Sequence, residues 1–143
     1  MNYQGGYLIG KIDKLTDRKV NELLRENGIT ELNGAQGTIL YALWNSEAMT
    51  IREIADAASL AKTTLTSMLS RMEKAGLVTQ KENPADARSK LIALTDKARE
   101  LGNVYQKVSS SMQEAYYRGM SEEEINTFET ALRKVLKNLE EYR

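Results

Sequence analysis

Apolar residues recur every three or four positions over most of the chain, and the pattern turns to alternation only once, past the middle. Leu8, Ile12, Leu15 and Leu23 step through charged residues at helical spacing and predict a first helix of about 20 residues. It ends near "ENGIT", where Gly28 suits the position just past a helix. Asn33 is placed to cap a second helix, "GAQGTILYALWNS", with Ile39, Leu40 and Leu43 on its inner face.

Two short helices follow. Thr50 and Glu53 have the spacing of a capping box, opening a helix with Ile51, Ile54, Ala55 and Ala58. After the turn "SLA", "KTTLTSMLSRMEKAG" predicts a second, with Leu65, Met68, Leu69 and Met72 inward and Gly76 as its stop. Two short helices joined by a turn of about three residues, with small Ala55 at the crossing, make a helix-turn-helix. Then "GLVTQKE" and "LIALT" flank "NPADARSK", which holds the single proline, and predict a hairpin over residues 77–94. A helix-turn-helix followed by a β-hairpin is a winged helix.

The last third is helical again. Thr95 can cap a long helix carrying Ala98, Leu101, Val104, Tyr105, Val108, Met112 and Ala115, which Gly119 ends. Ser121 and Glu124 form another capping box. Beyond it Ile125, Phe128, Leu132, Val135, Leu139 and Tyr142 alternate three- and four-residue steps, the spacing of a coiled-coil seam. The terminal helices thus carry apolar stripes in need of a partner, and pairing of two chains is the favoured use.

At 143 residues the chain is long enough for one domain with a helical extension. Its 20 basic and 20 acidic residues cancel, so charge is informative only through its distribution. Residues 61–95 carry six basic groups against three acidic, which leaves 14 against 17 elsewhere. The absence of cysteine and histidine excludes disulfides, thiol switches, Cys/His zinc sites and His- or Cys-based triads. Carboxylates are spread at helical spacing or sit at positions 122–124, where the helix dipole explains them, so no acid–base pair stands out. "GGYLIGK" has the spacing of a phosphate loop, but Ile12 replaces its Ser or Thr and no strand precedes it. No apolar run is long enough to span a membrane and the start does not read as a signal peptide, so the expectation is a cytoplasmic, non-enzymatic protein without cofactor or metal.

The basic segment carries the chemistry. Lys62, Thr63, Thr66, Ser67 and Ser70 lie away from the Leu65/Leu69/Met72 stripe. Short hydroxyl side chains and a lysine suit a major groove, where they let the backbone approach and reach base edges or phosphates. At the hairpin tip, Arg88 suits the negative potential of a minor groove. Asp86 is expected to hold Arg88 extended by a charge-assisted hydrogen bond, with Lys90 meeting a phosphate.

"AKTTLTSMLSRMEKAGLVTQ", followed by "PADARSKLIALT" and a long helix, resembles the MarR family of transcriptional regulators over nearly the whole chain. Asp86-x-Arg88 with Leu94-Thr95 is the sharpest element of the match. The resemblance implies a mainly α fold with a small β-hairpin wing: a dimerisation helix in 1–32, a winged helix-turn-helix in 33–95 (reading helix about 62–75, wing about 77–94) and dimerisation helices in 96–143. It places Lys62, Thr63, Thr64, Thr66 and Ser67 on the DNA-reading helix, Arg71 on a phosphate, and Asp86 and Arg88 at the wing tip. The chain departs from the family pattern at Ser59, where the turn usually has glycine, and at Ala61 and Ser67, where polar residues and arginine are common.

The function expected is a homodimeric, sequence-specific regulator of double-stranded DNA, a ligand-responsive repressor on a palindromic operator. The alternatives are an activator of the same fold, or a helical protein-interaction module, which would leave Arg88 and Lys90 without purpose. The resemblance also implies a small phenolic or anionic effector bound near the dimerisation helices. Tyr7, Tyr41, Trp44 and Tyr105 are the aromatic candidates for its pocket, weighed against packing roles.

Overall fold

A computed structural model describes residues 1–30 and 32–143, with the backbone alone at positions 34 and 35. Among these residues the order is α1 (Gly5–Glu26), α2 (Gly34–Trp44), β1 (Met49–Thr50), α3 (Ile51–Ala58), α4 (Lys62–Lys74), β2 (Val78–Asn83), β3 (Asp86–Leu94), α5 (Asp96–Tyr117) and α6 (Glu122–Glu141). No helix among them is long and apolar enough to cross a membrane. Two compact units result, Met1–Ser109 and Ser110–Arg143, with α5 running from one into the other.

Local chemistry sets most boundaries. Asn33, Thr50 and Ser121 each accept from the N–H three residues on, and Gln36, Glu53 and Glu124 reach back to complete three capping boxes. The Thr50 N–H and hydroxyl hold the Glu53 carboxyl below its ordinary range. Three helices stop alike: the N–H of Ile29, Leu60 and Leu77 returns to the carbonyl five residues back, at 2.9, 3.0 and 2.9 Å. This is the Schellman arrangement, and it needs a left-handed residue just before the donor. Gly28 (φ 76°) and Gly76 (φ 77°) supply it cheaply, whereas Ser59 adopts φ 53° at a cost of about 1–2 kcal/mol.

In the first unit β1, β3 and β2 lie side by side, antiparallel, with β3 central. The hairpin expected over 77–94 is present, and β1 is an addition the sequence did not announce: Met49 pairs with Ile92 and Thr50 with Leu91. The core joins Ile39, Leu40 and Leu43 of α2 and Ile54 of α3 to Leu65, Leu69 and Met72 of α4, with Leu77, Val78, Ile92 and Leu94 beneath. Met68, expected inward, is half-buried against that core. No polar or charged residue is buried among the described residues, so burial of aliphatic groups holds the unit.

α5 is gripped by this unit at its N-terminal half. The Thr95 hydroxyl caps it, accepting from the Ala98 N–H at 3.2 Å while donating to the Gly76 carbonyl at 2.6 Å. Lys97 Nζ donates to the Ala75 carbonyl at 3.1 Å, so the end of α4 and the start of α5 are tied together. Further along, α2 and α5 interlock: the Trp44 indole occupies the space over Gly102, and the Tyr105 hydroxyl the space over Gly37. Burial, and then the charge of Asp17, raise the Tyr105 phenol above its ordinary range.

In the second unit Gly119 (φ 80°) ends the turn after α5. Tyr117 donates to Glu129 and meets Phe128 edge-on, with ring centres 6.3 Å apart. That hydrogen bond is the main cause of a raised Tyr117 phenol. No residue of α6 is buried, and the seam expected in the sequence lies open at Phe128, Leu132, Val135 and Leu139.

Gly102→Ala places a methyl group inside the Trp44 indole. Denaturant unfolding followed by circular dichroism should show a loss of about 1–3 kcal/mol. Combined with Trp44→Leu, which vacates that space, the same change should cost less, and the shortfall measures the coupling.

Candidate nucleic-acid interface

The outer face of α4 is built from two rows at helical spacing. Lys62, Thr66, Ser70 and Lys74 form one, and Thr63, Ser67 and Arg71 the other. Leu65, Leu69 and Met72, each 0% exposed, anchor the opposite face. All seven outer residues are exposed and line one open groove, which carries three cationic side chains and no acidic one. Of the reading-helix residues expected from the sequence, Lys62, Thr63, Thr66, Ser67 and Arg71 come together there, while Thr64 is exposed outside the groove. Lys74 was missed, although it stands four residues beyond Ser70 in the same row.

Side-chain bonds along the groove are sparse. The Thr66 hydroxyl donates to the Lys62 carbonyl at 2.8 Å, and Arg71 Nη2 donates to Ser67 Oγ at 3.3 Å. The N-cap residue Ala61 offers no side-chain acceptor, so the first-turn N–H groups stay free of a side-chain cap.

The wing departs from a plain hairpin at its far end. Pairing runs in step from Val78–Leu94 to Glu82–Lys90, then jumps to Asn83–Asp86. Ala87, Arg88 and Ser89 are thereby thrown out of the ladder beyond the turn at Pro84 and Ala85. Three polar contacts fix that loop. Asn83 Oδ1 accepts from the Ala85 N–H at 3.0 Å, Asn83 Nδ2 donates to Ser89 Oγ at 3.0 Å, and Asp86 Oδ1 accepts from the Arg88 N–H at 3.0 Å.

The last contact corrects the expected role of Asp86. Its carboxylate holds the Arg88 backbone, and the two side chains form no ion pair. An Asx-type turn is satisfied within two residues, closer than a guanidinium can fold back. The Arg88 side chain is left exposed. Lys90, also exposed, stands directly across from Glu82 and so has an opposite charge as its cross-strand neighbour.

The four aromatic pocket candidates divide. Trp44 and Tyr105 are half-buried and pack in the α2–α5 interlock, the packing role weighed for them beside a ligand pocket. Each fills the space a glycine leaves on the facing helix. Tyr7 and Tyr41 are surface groups, 67% and 76% exposed, and Tyr7 has Lys11 Nζ 5.9 Å from its ring centre.

The model of the MarR family matches residues 32–90, from the start of α2 to the middle of β3. Among curated proteins, the organic hydroperoxide resistance transcriptional regulator of Bacillus subtilis (strain 168) is 44% identical over 57 residues, 40% of this chain and 39% of that protein. The chain thus spans about two fifths of that relative's length. Transcriptional regulator HosA of Escherichia coli O111:H- is 27% identical over 111 residues, 78% of this chain and 82% of HosA. Among solved structures, a mutant MarR from E. coli complexed with operator DNA superposes with TM-score 0.81 at 28% identity, covering 92% of each chain. The S. aureus MepR–DNA complex gives TM-score 0.85 at 23% identity over 96% of this chain and 99% of MepR, a likeness of fold.

Removing the Asp86 carboxylate tests what holds the wing loop. In Asp86→Ala, hydrogen exchange at the Arg88 amide should quicken while global stability changes by less than about 0.5 kcal/mol, as for other exposed sites. Unchanged exchange would mean that the carboxylate does not order the loop.

Proposed function

Because the chain carries a MarR-family winged-helix domain, we propose that it is a transcriptional regulator that binds double-stranded DNA as a homodimer and represses from a palindromic operator. The observation that carries this reading is the outer face of α4: a groove of short hydroxyls flanked by Lys62, Arg71 and Lys74, on the second helix of a helix-turn-helix. Short side chains let that helix enter a major groove, the hydroxyls meet base edges, and the cations at either end meet phosphates. Thr64, outside the groove, is assigned to the flanking backbone. The looped-out Arg88 extends the contact into a minor groove, where narrow A·T tracts draw a guanidinium. Asp86 acts by shaping the loop that presents it, and Lys90 adds a phosphate contact.

The homodimer is supported by the apolar faces the chain leaves in water. On α1, Leu8, Ile9, Ile12 and Leu15 are 43–47% exposed, and the α6 seam is open as well. Faces of that kind mark association surfaces, and a second copy supplies matching ones. A two-fold dimer sets two reading helices about one DNA turn apart, roughly 34 Å, which is the reason for a palindromic site. Activation would use the same contacts, since the sign of regulation depends on where the operator lies relative to a promoter. Response to a small phenolic or anionic effector rests on the resemblance to the family. Such a molecule would act by favouring one spacing of the two reading helices over another.

Fluorescence anisotropy on the DNA upstream of the chain's own gene, at several salt concentrations and beside a random duplex, is the direct test. Arg71→Ala should weaken both duplexes alike and reduce the salt slope by about one. Arg88→Ala should weaken the upstream duplex by about 1–3 kcal/mol, the range of a groove contact. Unchanged affinity in Arg88→Ala at every salt concentration would remove the wing from the interface, and equal, feeble binding of both duplexes would count against the regulator.

The dimer has its own test. Leu132→Glu with Leu139→Glu puts charges into the α6 seam, and light scattering should then report a monomer of unchanged helix content. A variant that stays dimeric would place the interface elsewhere.

A further inference from the structure

Two hydroxyls one residue apart on the α4 groove end with opposite hydrogen-bonding capacity. Ser67 Oγ accepts from the Arg71 guanidinium, so its own hydrogen is free. Thr66 Oγ1 donates to the Lys62 carbonyl at 2.8 Å, so its hydrogen is spent on the helix. Turning it outward would break that bond and require another rotamer. What Thr66 retains for a partner is its Cγ2 methyl group and the lone pairs of its oxygen. In the major groove guanine presents two acceptors, which a group without a donor cannot bind, whereas thymine presents a methyl group.

We propose that Thr66 is a specificity-determining residue that reads thymine in each half-site through its Cγ2 methyl, with the hydroxyl serving as a brace inside α4. The inference rests on the DNA-binding reading above. It leaves phosphate contact to the cations Lys62, Arg71 and Lys74. At the centre of the footprint Thr66 offers apolar contact, while Ser67 beside it keeps its donor hydrogen for a base edge.

The test uses the full chain. Duplexes are selected from a randomised pool with the wild-type protein. Each thymine of the enriched sequence is then replaced by uracil, one at a time, and the duplexes are titrated with wild type, Thr66→Ser and Thr66→Val. Serine keeps the brace without the methyl, and valine keeps the methyl without the hydroxyl, so both variants are compatible with the helix. One thymine per half-site should lose about fourfold in affinity when its methyl is removed, the worth of one buried methyl group. That penalty should vanish in Thr66→Ser and persist in Thr66→Val, which should bind the thymine duplex within a few-fold of wild type. A loss of more than about tenfold in Thr66→Val with an unchanged thermal melt would show that the hydroxyl makes the contact. A uracil penalty that survives in Thr66→Ser would assign thymine reading to another residue. Either result overturns the proposal and leaves the regulator standing. Enrichment of no sequence at all would instead overturn the DNA-binding reading, and this proposal with it.

Discussion

The reciprocal fit of α2 and α5 is the contact on which the rest of the arrangement depends. Each helix offers one large ring and one glycine, Trp44 against Gly102 and Tyr105 against Gly37, so neither can slide without a ring meeting backbone. Close-packed interiors forgive such overlap poorly, which makes the fit a register lock rather than a soft contact. A second tie lies less than two turns away, where Thr95 and Lys97 bond the carbonyls that close α4. The N-terminal half of α5 is therefore fixed to α2 and to the end of α4. A displacement of the N-terminal half of α5 has a physical route to α4 through those two bonds and the shared core.

Charge is distributed for the same end. With 20 groups of each sign the chain has no net field to hold it to DNA non-specifically. The groove on α4 nevertheless has only cations among its charged groups, and Arg88 stands free beyond the turn. Against an acidic remainder, this separation orients the molecule as it approaches a polyanion.

The elements legible in the sequence are those governed by neighbours a few residues apart. Capping boxes at Thr50 and Ser121, glycine stops at Gly28 and Gly76, and the inward stripe of α4 are all local, and each lies where its spacing puts it. The two-residue strand β1 was not legible, because it exists only through pairing with Ile92 and Leu91 some forty residues on. The jump in register beyond Glu82 is similar: Asn83 and Asp86 set it with side-chain bonds to the backbone that no alternation of residues encodes. That Trp44 and Tyr105 face glycines on another helix was not legible, because an absent side chain leaves no pattern. Lys74 was within reach of the same four-residue step that singled out Thr66 and Ser70.

α4 is a poor helix by composition, and its outer face is free of any duty to hold it together. Five of its 13 residues are Ser or Thr, and Ala61 gives it no side-chain cap. Against alanine, five such residues sacrifice roughly 2–3 kcal/mol of intrinsic propensity. Leu65, Leu69 and Met72, fully buried, supply about 1.5–3 kcal/mol each from the opposite face. The inward stripe and the stop at Gly76 outweigh the deficit, so α4 is a helix because of what it packs on. Its outer face has no part in that balance. The residues there are free to be short, polar and weakly helical, which is what close approach to another surface requires.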